Sequence, residues 1–232
     1  MKRILIIILL LWIKSASAQY GSFYKSVINQ PKLFKPLAGS FIAHKVKTTI
    51  VDGESRKLNY SYLFNNKSLR LEYFYPESKT DSGCSYFILN GHRVNLKGHF
   101  EHDFACDLDV ASFKVYKGQY NGEKYLLLTC INTGSGSSTS SVICNLFDIT
   151  DKRSIKYYPL WSKYGSESCF GDFDKDGSLD FLKVRIQGDN DTLRLSLMSL
   201  KRERFIPYKE DHYMILNYDS KKIKIEQRHW FN

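Results

Sequence analysis

Nothing in this chain is apolar over the roughly 20 consecutive positions that a bilayer-spanning helix needs. The longest apolar run, Ile4 to Ile13, covers ten. No long segment places apolar residues at helical spacing, which argues against a helical bundle. Lysine and arginine outnumber the acids 34 to 24, yet no block gathers them. Lys183 and Arg185, like Lys222 and Lys224, fall at alternate positions, the pattern of a solvated sheet face rather than a nucleic-acid groove. No interdomain linker is apparent either: the Ser/Gly-rich stretch Thr133 to Ser141 lies inside an expected hairpin.

Among the features present, the first eighteen residues concern the compartment. Lys2 and Arg3 precede the apolar run, and Ala16-Ser17-Ala18 follows it with a small-x-small pattern, the layout of a secretory signal peptide. An uncleaved anchor is the alternative, and no cysteine after the run indicates a lipid anchor. The expectation is a signal peptide over 1–18 and an exported domain over 19–232, in periplasm, at a cell surface or outside the cell. Its mature length is 232 − 18 = 214 residues. Loss of Lys2, Arg3 and Lys14 lowers the formal charge from +10 to +7, which leaves the chain suited to an anionic envelope surface or polysaccharide.

Aromatic residues make up 15% of the chain, and apolar positions recur with period two. Leu69, Leu71, Tyr73 and Tyr75 alternate with Arg70 and Glu72, as in a strand that hides one face. The same pattern predicts strands near 41–51, 58–64, 68–75, 85–90, 93–97, 113–117, 125–131, 141–147, 179–187, 192–199, 213–218 and 222–227. Asp52-Gly53, Asn90-Gly91, Asn121-Gly122, Gly188-Asp189-Asn190 and Asp219-Ser220 supply turn chemistry between them. The expected fold is all-β, an antiparallel short-strand architecture that is sandwich-like or propeller-blade-like.

Five cysteines follow the leader: Cys84, Cys106, Cys130, Cys144 and Cys169. Export permits disulfides, and an odd count leaves at least one thiol over or paired between chains. A hairpin symmetric about Ser137 would set Cys130 opposite Cys144, in reach of a disulfide at a non-hydrogen-bonded pair. Two small buried apolar side chains are the alternative.

The densest chemistry is Gly171-Asp172-Phe173-Asp174-Lys175-Asp176-Gly177-Ser178-Leu179-Asp180. A tight loop would turn the carboxylates of Asp172, Asp174, Asp176 and Asp180 inward, with Gly177 allowing the bend and the Ser178 carbonyl facing the same space. Carboxylates that close repel one another without a cation. Oxygen-only donors suit calcium rather than zinc. The loop is not an EF-hand. Lys183 stands where that motif has its bidentate Glu, and a strand pattern follows instead of a helix.

The stretch Phe170 to Phe181 closely resembles the FG-GAP or VCBS-type calcium-binding repeat of integrin-like β-propellers, in which an aspartate loop runs directly into a strand. That resemblance implies Ca2+ ligation by Asp172, Asp174, Asp176, the Ser178 carbonyl and Asp180. It also implies that residues 166–232 form one blade-like unit. Asp103 to Asp109 has the outline of an eroded upstream copy that lacks the glycine.

Other groupings say less. His99, His102 and Cys106 have metal-ligand types but no second pair at finger spacing. Ser22-Phe23-Tyr24-Lys25 is a bare Ser-x-x-Lys without companion motifs. Asn59, Asn66 and Asn190 begin glycosylation sequons, which matter in a eukaryotic host. With no nucleophile, base and orienting group readable together, the expected function is a non-enzymatic, calcium-binding exported module that binds a protein or glycan partner. A secreted hydrolase with structural calcium and a catalytic set drawn from distant residues is the alternative.

Overall fold

The computed structural model describes residues 33–51, 55–66, 69–76, 85–96, 108–131, 141–163, 165–187, 192–207, 213–219 and 222–228. β1 (Phe34–Pro36) is followed by β2 (Phe41–Val51), β3 (Ser55–Phe64), β4 (Leu71–Pro76), β5 (Tyr86–Leu89) and β6 (His92–Asn95). Next come β7 (Lys114–Tyr120), β8 (Glu123–Ile131), β9 (Val142–Asp148) and β10 (Lys156–Ser162). Last are β11 (Phe170–Gly171), β12 (Asp180–Gln187), β13 (Thr192–Lys201), β14 (Arg204–Pro207), β15 (Tyr213–Asp219) and β16 (Lys222–Arg228). Two short 3-10 turns, Val110–Ser112 and Glu167–Cys169, are the helical elements among the described residues.

The fold is all-β and antiparallel. β2 to β6 form one meander in chain order, β1 joins β7 to β10 in a second sheet, and β11, β12, β13, β15 and β16 form a third, with β14 beside the end of β13. Among the described residues none of the three closes on itself. Hairpin chemistry fixes the registers locally. The two-residue loops Asn90-Gly91 and Asn121-Gly122 both take positive φ at each position, as the strand twist favours.

The sheets are layered on the middle one. Leu126, Leu128, Cys130, Ile143 and Phe147 pack towards Leu71, Tyr73, Phe87 and Leu89 of the first sheet. From the opposite face, Tyr125, Leu127, Cys144 and Leu146 pack towards Phe170, Leu179 and Phe181 of the third. The continuous run Tyr125 to Cys130 is therefore buried throughout, whereas Leu71 and Tyr73 alternate with half-buried Glu72 and Phe74. Each fully buried leucine of this kind contributes roughly 1.5–3 kcal/mol relative to exposure.

The twelve expected strands are all present, with ends shifted by a few residues. Four more are β1, β10, β11 and β14. β10 escapes the pattern because Pro159 interrupts it; the strand lies at an edge of its sheet, where a missing N–H is tolerated.

The Cys130–Cys144 disulfide requires correction. The β8–β9 register sets Cys130 opposite Ile143 and Cys144 opposite Thr129, one residue off the symmetry about Ser137. A one-residue offset reverses which face a side chain occupies. Cys130 accordingly lies in the core towards the first sheet and Cys144 in the core towards the third, both as thiols. The leader, Ser22 to Lys25, Cys84, His99, His102, Cys106 and Asp103 to Asp107 lie outside the described residues.

Candidate metal centre

The aspartate stretch is the loop of a small hairpin. Phe170 pairs with Phe181 and Gly171 with Asp180, and Phe173 and Leu179, both buried, root the loop in the protein. Gly171 lies under the Phe173 ring, where a Cβ would meet Cζ at 3.2 Å. The chain reverses at Lys175 (φ 60°) and Gly177 (φ 83°); the left-handed region suits the glycine and is strained for the lysine.

Asp172, Asp174 and Asp176 each offer a carboxylate oxygen to a group whose members lie within 4.8 Å of one another. Local amides orient them: Asp176 N donates to Asp174 Oδ1 at 3.1 Å, Ser178 N to Asp176 Oδ1 at 2.7 Å, and Gly177 N to Asp172 Oδ2 at 3.2 Å. Asp174 Oδ2 is shielded from solvent and has no hydrogen-bond partner among the described residues. Burial, reinforced by the charges of Asp176 and Asp172, holds the Asp174 carboxyl above its ordinary range.

Two other elements reach the loop. The tip of the β7–β8 hairpin supplies Tyr120, whose hydroxyl donates to Asp172 Oδ2 at 3.0 Å, and Asn121, whose Nδ2 donates to the Gly177 carbonyl at 2.6 Å. From the end of β13, Lys201 Nζ lies 3.0 Å from Asp176 Oδ2. Burial alone would raise the Asp176 carboxyl; the Lys201 ammonium and the Ser178 donors outweigh it and hold it low. Burial and the carboxylate of Asp172 push the Tyr120 hydroxyl up to about 12, so it remains a donor at neutral pH.

Three of the five expected ligands thus converge: Asp172, Asp174 and Asp176. Ser178 is within the loop and gives its amide to Asp176. Asp180 is fully buried beneath, and both its oxygens accept protein donors, Phe173 N at 2.8 Å and Ser199 Oγ at 2.6 Å. Burial raises its carboxyl to about 6, against the pull of those two bonds. Of the upstream acidic stretch, Asp109 is described, and its carboxylate caps a 3-10 turn through Ala111 N.

Sequence reading missed Tyr120, Ser199 and Lys201, and recognised Asn121 as a turn residue alone. Their contacts with the loop span tens of residues, which no local spacing encodes. Chemically, the centre is a set of oxygen donors with crowded negative charge, suited to a hard cation such as calcium and not to zinc or copper. Comparison with protein-family models, curated proteins and solved structures matches nothing to this chain.

Proposed function

We propose that the 172–180 loop holds a calcium ion that braces the start of β12, in an exported, non-enzymatic β module of FG-GAP/VCBS type. Such a module binds a protein or glycan at the cell envelope through its loops or a sheet face. The observation that carries the calcium reading is the convergence of Asp172, Asp174 and Asp176, with ligand oxygens within 4.8 Å of one another. The orphaned, shielded Asp174 Oδ2 supports it, since a buried charged oxygen without a partner is unfavourable unless a cation joins it. Export rests on the leader pattern of residues 1–18.

Loops of this kind in extracellular modules bind with Kd of about 10⁻⁴ to 10⁻³ M. At ten times Kd, linkage stabilises the fold by about 1.4 kcal/mol, or about 3–6 °C in melting temperature for a chain of this size. The test compares melting in chelator with melting in millimolar calcium. Asp174→Ala is expected to remove the response, and equal melting temperatures for the unsubstituted chain would end the calcium reading. An intact mass that begins at Gln19 tests export; retention of Met1 to Ala18 counts against it.

A further inference from the structure

We propose that Lys201 is a built-in competitor for the cation of the aspartate loop: its ammonium occupies Asp176 until a divalent ion takes that carboxylate over. The inference rests on the calcium reading and adds an autoinhibitory contact to it.

Both oxygens of Asp176 are engaged, Oδ1 by Ser178 N at 2.7 Å and Oδ2 by Lys201 Nζ at 3.0 Å. A metal ion that takes Oδ2 therefore meets a resident positive charge. Backbone geometry holds Lys201 there. Leu200 N donates to Leu179 O at 2.8 Å, which ties the end of β13 to the last residue of the loop. Lys201 then faces Arg204 across a two-residue turn. Arg202 (φ 50°) and Glu203 (φ 64°) occupy that turn, in a conformation usually left to Asn and Gly. Glu203 reaches the other way, its Oε1 2.9 Å from Lys156 Nζ on β10. The turn that presents Lys201 is thus engaged on both sides.

The physical consequence is two-sided. Without metal, Lys201 offsets part of the repulsion among the three carboxylates and so limits how far the loop loosens. With metal, a single charge beside a double charge raises the concentration needed for binding. The loop then responds to calcium at extracellular, millimolar levels and not to traces. The ion pair is partly exposed, so its hold is modest and salt-screened.

The test titrates calcium alone into the full chain, by calorimetry, for the unsubstituted protein, Lys201→Met and Lys201→Arg. Removing the charge in Lys201→Met is expected to tighten binding roughly five- to tenfold at low ionic strength. The gain should shrink in about 0.5 M salt, and Lys201→Arg should bind like the unsubstituted chain. Equal affinity for the unsubstituted protein and Lys201→Met overturns the inference and leaves the calcium reading standing. Equally tight binding by Lys201→Arg and Lys201→Met also overturns it, because the cause is then side-chain shape and not charge. Calcium binding by none of the three ends both readings.

Discussion

Asp180 and Phe173 close the aspartate loop on itself: Oδ2 of the buried carboxylate accepts the Phe173 amide at 2.8 Å. Its other oxygen takes the Ser199 hydroxyl of β13 at 2.6 Å. The fourth aspartate of the cluster is therefore the latch between loop and sheet, while the first three face one another above it. This division assigns Asp180 a structural duty that its spacing alone does not reveal.

Asp180→Ala leaves a buried amide and a buried hydroxyl without their acceptor. The expected loss is roughly 2–4 kcal/mol in urea denaturation. Asp180→Asn keeps one acceptor oxygen and is expected to lose less. Wild-type stability in Asp180→Ala would show that the latch is not needed.

The same carboxylate makes stability depend on pH. Its folded value, about 6, lies above the ordinary 3.8, so between those values the folded chain holds a proton that the unfolded chain has released. Stability from this group is therefore fully present below pH 3.8 and is lost as pH rises through about 6. Asp174, also raised by burial, acts in the same direction. In chelator, the melting temperature of the unsubstituted chain relative to Asp180→Asn is expected to be higher at pH 5 than at pH 7. An equal difference at the two pH values contradicts this.

Chelation is expected to loosen the loop before anything remote. Without a cation the repulsion of Asp172, Asp174 and Asp176 is concentrated next to β12, whose Leu182 and Val184 are fully buried. Hydrogen exchange should rise first between Phe170 and Val184, and partner binding should fail only as that segment opens. Loss of binding with unchanged exchange there would make the loop itself the contact surface.

The thiols provide a check on register. Cys130 and Cys144 are fully buried, and burial pushes both thiols well up from their ordinary value, so neither is expected to react with iodoacetamide until the chain unfolds. Peptide mapping of the oxidised protein should give no Cys130–Cys144 linkage. A linked pair would mean that β8 and β9 are one residue out of the register described.

How much of this was legible in the sequence follows from the range of each interaction. Period-two alternation, the Asn-Gly turns and the aspartate spacing are local, so the strands, the hairpins at Asn90 and Asn121 and the convergence of Asp172, Asp174 and Asp176 could be read directly. β10 could not, because Pro159 hides a strand that only an edge position permits. The pairing of Cys130 with Cys144 failed on a single residue of register, which packing of Leu126 and Leu128 on one face and Leu127 on the other decides. Tyr120, Ser199 and Lys201 reach the loop across 52, 19 and 25 residues. Sequence by itself determined which groups could form local structure and where negative charge would crowd. Tertiary structure decided that the Tyr120 hydroxyl and the Lys201 ammonium meet that charge, because layering the sheets brings together side chains that no short-range spacing connects.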